Sequence, residues 1–257
     1  MIILNYLKIS FKKIILYKKS FYLSLIGQFL VTFSAFIGVL FMLHRFEKIN
    51  GYTLSEILLF FSITLFSFSI AEGVFKGFDR FPVLIKQGTL DSYLIRPQNL
   101  IIQVIANNLD LTKIGRVLQS LLMFIYCIFY SDVNWSVLKM FTLLLIIITS
   151  CLIFSCLYII YAGICFFTLD KVEIFNLLTQ GSREFGKYPI DVYGDFVLKF
   201  STFFIPFALV QYYPYLYIID HSDNIIFVTL PFISILFIIP TTIIWKLGLL
   251  NYQSSGS

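Results

Sequence analysis

Charge is scarce in this chain. Of its 257 residues only 13% are Asp, Glu, Lys or Arg, against roughly 25% in an ordinary soluble domain. The central parts of the long apolar runs hold no ionisable side chain at all. Such groups inside a membrane mark proton relays and ion-coupling sites. Their absence argues against a proton- or sodium-coupled transporter and against a hydrolase using carboxylates in the bilayer. Histidine is nearly missing too. His44 and His221 lie far apart, each near the end of an apolar run, which argues against a histidine metal site. The four cysteines, Cys127, Cys151, Cys156 and Cys165, fall inside apolar runs without zinc or disulfide spacing; they read as small core residues. No G-x-x-x-x-G-K-[ST] occurs, so the chain cannot cradle nucleotide phosphates by that route. If it does active work, another subunit supplies the energy. The alternating polarity of a barrel strand is absent as well.

What is there is apolar and aromatic. Hydrophobic residues make up 59% of the chain and the mean hydropathy is +0.89. Several runs of about 20 apolar residues define an all-α polytopic membrane protein. Met1–Lys19 is too charged to span; Leu4, Leu7, Phe11 and Ile14 recur at helical spacing opposite Lys8, Lys12 and Lys19, the pattern of a basic amphipathic helix on a membrane surface. Six spans follow, at residues 21–43, 57–74, 117–130, 137–169, 196–219 and 225–245. The fourth is longer than a bilayer needs, so it should tilt, or break near Gly163. Pro206 and Pro214 interrupt the fifth, which should be shortened and followed by a non-helical or re-entrant piece around Tyr212–Tyr217, because a helix broken in a membrane needs its freed backbone satisfied. Gln211 is the candidate to do so. The 30 Phe and 16 Tyr read as lipid-facing and packing surface with interfacial tyrosine belts. The functional alternative is an apolar lateral cavity for an amphiphilic or cationic cargo, with Pro206, Gln211, Tyr212, Tyr213 and Pro214 as translocation path or gate.

The net charge of +5 is a topology signal and not a nucleic-acid one. With six spans, sixteen Lys and Arg fall on the side that holds both termini, the loop at 77–98 and the polar stretch at 170–196, while three (Arg45, Lys48 and Lys139) fall on the other. Both termini and both long polar loops are therefore expected in the cytoplasm.

The most informative polar segment is Lys86–Pro97, KQGTLDSYLIRP. Gly88 suits a helix C-terminus in the left-handed conformation. Thr89 is placed to cap a new short helix whose first turn holds Asp91. Leu90 and Leu94 are four apart and share a face with Tyr93 beside it, and Pro97 ends the helix after Arg96. Spacing alone allows either a solvated connector or a protruding amphipathic helix.

The stretch G-T-L-D-S-Y-L-I-R-P resembles the G-x-L-D-x-x-L-x-R-P signature of one branch of the ABC-2 type permeases, the membrane subunits of bacterial ABC exporters. Tyr188-Pro189 with Ile190 and Tyr193, then Ile205-Pro206 and Pro214, are similar to that branch's Y-P…Y…I-P…P pattern. The ending W-K-L-G-L-L-N-Y-Q-S-S-G-S is similar to its W-x-x-G-L-x-x-Y-x-S tail, with Leu249-Leu250 where basic residues are usual. The resemblance implies six spans, re-entrant elements before span six and a coupling helix between spans two and three. Gly88, Leu90, Asp91, Tyr93, Leu94, Arg96 and Pro97 would form that helix, with Leu90, Tyr93 and Leu94 in a groove of the ATPase subunit. It implies two ABC ATP-binding subunits that bind ATP and Mg, no cofactor in this chain, a second permease (a heterodimer favoured) and the bacterial cytoplasmic membrane. The competing readings are a membrane-embedded lipid-modifying enzyme, which would need a polar catalytic cluster in 170–195, and an uncoupled channel or scaffold.

Overall fold

A computed structural model describes residues 15–44, 48–108, 111–168, 181 and 183–252. The expected amphipathic helix at 1–19 and the tail beyond Tyr252 lie largely outside the described residues, which are helical with one isolated β-bridge, Ile49 to Tyr52.

The organising element is α2, Leu54–Phe75. Its Thr53–Glu56 capping box starts it cleanly: the Thr53 hydroxyl accepts from the Glu56 amide and the Glu56 carboxylate from the Thr53 amide. It is apolar on all sides, the composition of a helix buried all round, and 78% of its spanning window is buried. Three of its buried hydroxyls, Ser62, Thr64 and Ser69, donate back to carbonyls three or four residues earlier and so need no outside partner. Around it stand α1 (Lys18–His44), α6 (Ile114–Tyr130) and α7 (Val137–Thr168). After α2 a 3-10 turn, Lys76–Arg80, leads into α3 (Phe81–Lys86), α4 (Asp91–Leu94) and α5 (Leu100–Asn107). This corner and the end of the chain form one pole of the bundle, the loop end. The Asn50–Gly51 turn, Ser131–Ser136 and Asp220–Asn224 form the other, the connector end.

Among the described residues, four helices are long and apolar enough to cross a membrane: Lys18–Phe41, Leu54–Lys86, Val137–Thr168 and Ile225–Leu250. The 17-residue α6 is shorter. The long fourth span does not break at Gly163; α7 is one helix of 32 residues. Gly163 is instead a crossing point, where a Cβ would lie 3.0 Å from the Ile244 side chain and where small residues let helices approach. The last span begins as 3-10 turns (Ile225–Val228 and Leu230–Phe237) and becomes α-helical as α10, Ile238–Leu250. Pro231 and Pro240 both fall in first turns, where a missing N–H costs no helical bond.

The expected fifth span is the main correction. Asp195–Phe203 (α8) and the helical run Ala208–Ile218, whose last part is α9 (Tyr213–Ile218), are bent by 93°. Just before α8, Asp191 accepts from Tyr52 at 3.0 Å and Asn50 at 3.2 Å. Just after α9, Asp220 accepts from Lys139 at 2.6 and 2.7 Å. Entry and exit thus share the connector end, while Gln211 reaches Thr64 halfway along α2. The pair is a re-entrant hairpin and not a span. Its bend lies beside Pro206, and Tyr212–Tyr217 is helical.

The polar stretch at 170–196 is corrected with it. Arg183 lies over the Phe68 ring, Gly186 packs on Thr64 and Asp191 reaches Tyr52. Residues 183–191 therefore run along α2 towards the connector end, and by Asp191 the stretch no longer shares a side with the 77–98 loop. Its charges are engaged locally, Glu184 pairing with Arg183 and Lys187. That pairing lets a charged sequence lie against the bundle instead of forming a solvated loop. The chain changes ends between Thr168 and Asp191; residues 169–180 and 182 lie outside the described ones.

Candidate functional site

The loop end is built from two sequence segments about 150 residues apart. Gly88 has φ +65°, the left-handed value that closes α3 without Cβ strain. Thr89 does not cap α4: Leu90 occupies the N-cap with no side-chain bond, and the Thr89 hydroxyl donates back to the Leu84 carbonyl at 3.2 Å. The face expected to carry both Leu90 and Leu94 is divided. Leu90 is 0% exposed and packs with Phe78, Phe81 and Ile85, whereas Leu94 is 43% and Ile95 84% exposed. With α4 only one turn long, its N-terminal leucine turns into the bundle and its C-terminal pair turns out. Leu90 thus belongs to the chain's own core and offers no surface to a partner. Tyr93 is half-buried, Arg96 lies 5.9 Å from its ring centre, and Pro97 is exposed.

The chain's last turn holds this corner in place. Trp245 packs on Phe78, Phe81 and Phe166, edge contacts that add to plain burial. Gly248 sits where a Cβ would fall 2.6 Å from the Gly163 carbonyl, so the last span can approach α7 only with glycine there. Tyr252 packs on Phe166 and its hydroxyl donates to Asp91 Oδ1 at 2.8 Å. Burial, then the Asp91 carboxylate, push its phenol up to about 12, so it is a donor at neutral pH. The residues of the loop motif and of the tail motif thus meet in one structural unit.

Sequence reasoning missed three supports of this unit. Buried Gln103 donates to the carbonyls of Tyr93 (3.0 Å) and Gln98 (3.2 Å), tying α5 to the exit of α4. Asn99 caps α5 by accepting from the Ile101 amide at 2.9 Å. Glu72 does pair with Lys76 as its i+4 spacing suggests (3.5 Å), but it also pairs with Arg116, whose other nitrogen donates to Gln28 at 2.6 Å. That network joins α1, α2 and α6. An Asn-Leu and an isolated Gln in an apolar turn were the available signals for the first two; pairing across 44 residues leaves none.

The re-entrant hairpin holds the second set of candidates. Pro206 is buried at the bend. Gln211 is 2% exposed and donates to the Thr64 hydroxyl, not to backbone freed by Pro214; a π-helical turn, Ala208–Tyr212, leads into buried Pro214. Tyr212 lies 3.5 Å, hydroxyl to hydroxyl, from Tyr52, and Tyr213 packs on Tyr212 and Phe227. Tyr215 is not interfacial: it is 0% exposed and its hydroxyl donates to the Glu56 carbonyl. At the connector end, Asp191, Asn50 and Tyr52 join one another, and His221 stacks on Tyr52 and reaches Glu56 at 3.3 Å. Burial chiefly raises the Tyr52 phenol far above its usual range. Between α2 and the hairpin lies a cavity of 270 Å³ lined by Phe60, Phe185, Gly186, Ile190, Phe196, Val197, Phe200, Ser201, Ile205, Phe207 and Gln211. The polar cluster required of a lipid-modifying enzyme in 170–195 is not assembled among the described residues; Glu184 and Asp191 serve ion pairs and hydrogen bonds.

The described residues thus form an all-helical bundle with membrane-spanning helices, a re-entrant hairpin before the last of them, and a loop and tail locked together at the opposite pole. The family model for the ABC-2 family transporter protein matches residues 29–256, and the chain belongs to that family. No curated protein and no solved structure matches it. Membership makes the chain a permease component of an ABC transporter, associated with ABC ATP-binding subunits.

Proposed function

We propose that this chain is half of the translocation pathway of an ATP-driven exporter and receives the power stroke through Gly88–Pro97. The observation that carries the reading is the division of α4. Its inner side is fixed by Leu90 and the Asp91–Tyr252 bond, while Leu94, Ile95 and Arg96 face outward on a segment too short to move independently of the bundle. A rigid protrusion of this kind suits reception of a push from a partner. ATP and Mg would be bound by two partner ATP-binding subunits, and a second, different permease would complete the pathway.

The loop end is cytoplasmic in this reading, in a bacterial plasma membrane with both termini inside. Lysine and arginine support it: with Arg183 and Lys187 lying along the crossing and counted on neither side, and Lys199 moved to the connector side, sixteen against three becomes thirteen against four, still an excess at the loop end. The re-entrant hairpin does not cross, so the fifth crossing of a six-span topology falls between Thr168 and Asp191.

A photoreactive residue at Ile95 in the full chain, co-expressed with its ABC ATP-binding subunit, should cross-link to that subunit. A cysteine at Asp223 should react with an impermeant reagent in intact cells and one at Gln87 should not. Labelling of Gln87 from outside, or an Ile95 probe that never reaches the ATP-binding subunit, would overturn the reading.

A further inference from the structure

The cavity under the re-entrant hairpin has a depth that matches one membrane leaflet. Its floor is set by Gln211 on Thr64, ten residues into α2 from Leu54, hence about 15 Å from the connector end at 1.5 Å per residue. Half of a hydrocarbon core about 30 Å thick is the same distance. The cavity therefore runs from the connector-end interface to the bilayer midplane.

Its chemistry is as restrictive as its depth. The walls are Phe60, Phe200, Phe207 and aliphatic neighbours. The two polar side chains that reach it are already engaged: Ser201 donates to the Val197 and Leu198 carbonyls and Gln211 donates to Thr64. The Ser201 hydroxyl therefore keeps no proton for a ligand, and the Gln211 amide, with one N–H given to Thr64, leaves its remaining polar capacity at the floor alone; a polar ligand along the walls would meet no side-chain partner, which is costly. The mouth is framed by Phe185, Phe196 and Phe200, which are 51%, 83% and 42% exposed, so it opens among residues that face the bilayer. The volume of 270 Å³ accommodates roughly nine water-sized groups at about 30 Å³ each, the size of a segment of an unbranched alkyl chain.

We propose that this cavity binds one alkyl chain of an amphiphile from the connector-side leaflet, the chain end resting near Gln211 and the headgroup remaining at the interface. The ligand class follows from a slot that is apolar, one leaflet deep and open to lipid. A flat aromatic drug or a sugar would leave either the slot's depth or its own polar groups unmatched.

The test uses the full chain in membranes of cells fed a fatty acid with a mid-chain diazirine. After irradiation, labelled peptides should be enriched about tenfold in Phe196–Gln211 over the lipid-exposed face of α1 around Leu23 and Phe41. Excess unlabelled fatty acid should compete the first and leave the second unchanged. Val197→Trp, or the milder Ser201→Leu, should fill the slot and remove the enrichment. Equal, non-saturable labelling of both regions in the unmodified chain overturns the proposal without any variant; so does enrichment that persists in a filled variant of unchanged thermal stability. On the ATP-driven reading above, label retained through ATP turnover marks a resident lipid and label released marks cargo. Both outcomes support the pocket, and failure of turnover leaves the labelling result standing.

Discussion

The two ends of this bundle differ in where their polar contacts lie: buried beneath an aromatic corner at the loop end, in the Glu72–Arg116–Gln28 network, and partly exposed at the connector end. At the loop end an aromatic cluster of Phe78, Phe81, Phe166 and Trp245 surrounds buried Leu90, and a single phenol–carboxylate bond ties the tail to α4. At the connector end, charge and hydrogen bonding dominate: Lys139–Asp220, Glu56–His221 and Asp191 with Tyr52 and Asn50. The comparison teaches where rigidity is needed. A corner of short helices cannot hold its shape by backbone bonding alone and takes it largely from packing. The re-entrant hairpin, which interrupts its backbone ladder within the bundle, requires polar partners along its course.

Predictions follow this contrast from large effects to small. Glu72→Ala would leave the buried Arg116 guanidinium without its carboxylate, while Lys76 keeps Asp79, and breaking a buried pair costs about 3–5 kcal/mol. We expect loss of thermal stability or of folded yield in detergent, with Glu72→Gln affected less. Equal stability for the two would show that packing alone holds that junction. Leu90→Ala should remove about 2–5 kcal/mol of the chain's own stability. Leu94→Ala with Ile95→Ala should leave stability unchanged while weakening retention of the ATP-binding subunit at least about tenfold, equivalent to roughly 1.4 kcal/mol. The contrast fails if Leu90 and Leu94 behave alike in both measurements.

Tyr252→Phe removes one hydrogen bond, worth about 1–3 kcal/mol to a charged acceptor. Asp91→Ala should cost a similar amount, and the double variant should be no worse than either single one, measured by coupling of ATP turnover to transport; additive losses would mean that the two residues act separately. The smallest effect belongs to the connector end. Asp220 is 56% exposed and its partner Lys139 8%; because Asn keeps an oxygen to accept from the buried lysine, Asp220→Asn should cost about 1 kcal/mol. A loss as large as that of Glu72→Ala would place the more demanding electrostatics at the connector end.

Much of this was legible in the residues. The helical class and four of the spans followed from uninterrupted apolar runs, and Gly88 announced the left-handed turn it adopts. The Leu90–Leu94 face was misjudged because periodicity assumes a helix long enough to have faces, and α4 is one turn. Gly163 looked like a breaker in a long span because its role as a contact for Gly248 is invisible along one helix. The run at 196–219 reads as a span because its bend is invisible along the sequence, and 170–196 as a loop because of its charge, although Glu184 pairs with both Arg183 and Lys187.

By itself the sequence determined the medium, the helices and the pole at which the loop motif lies, since those depend on local hydropathy and backbone chemistry. Only the tertiary structure decided that Trp245, Gly248 and Tyr252 close on the Gly88–Pro97 corner, that Arg116 belongs to Glu72, and that Pro206 turns a hairpin back towards the end it entered from. Each of those depends on contact between segments remote in the chain, where the partner of a side chain is fixed by how helices cross and not by what stands next to it.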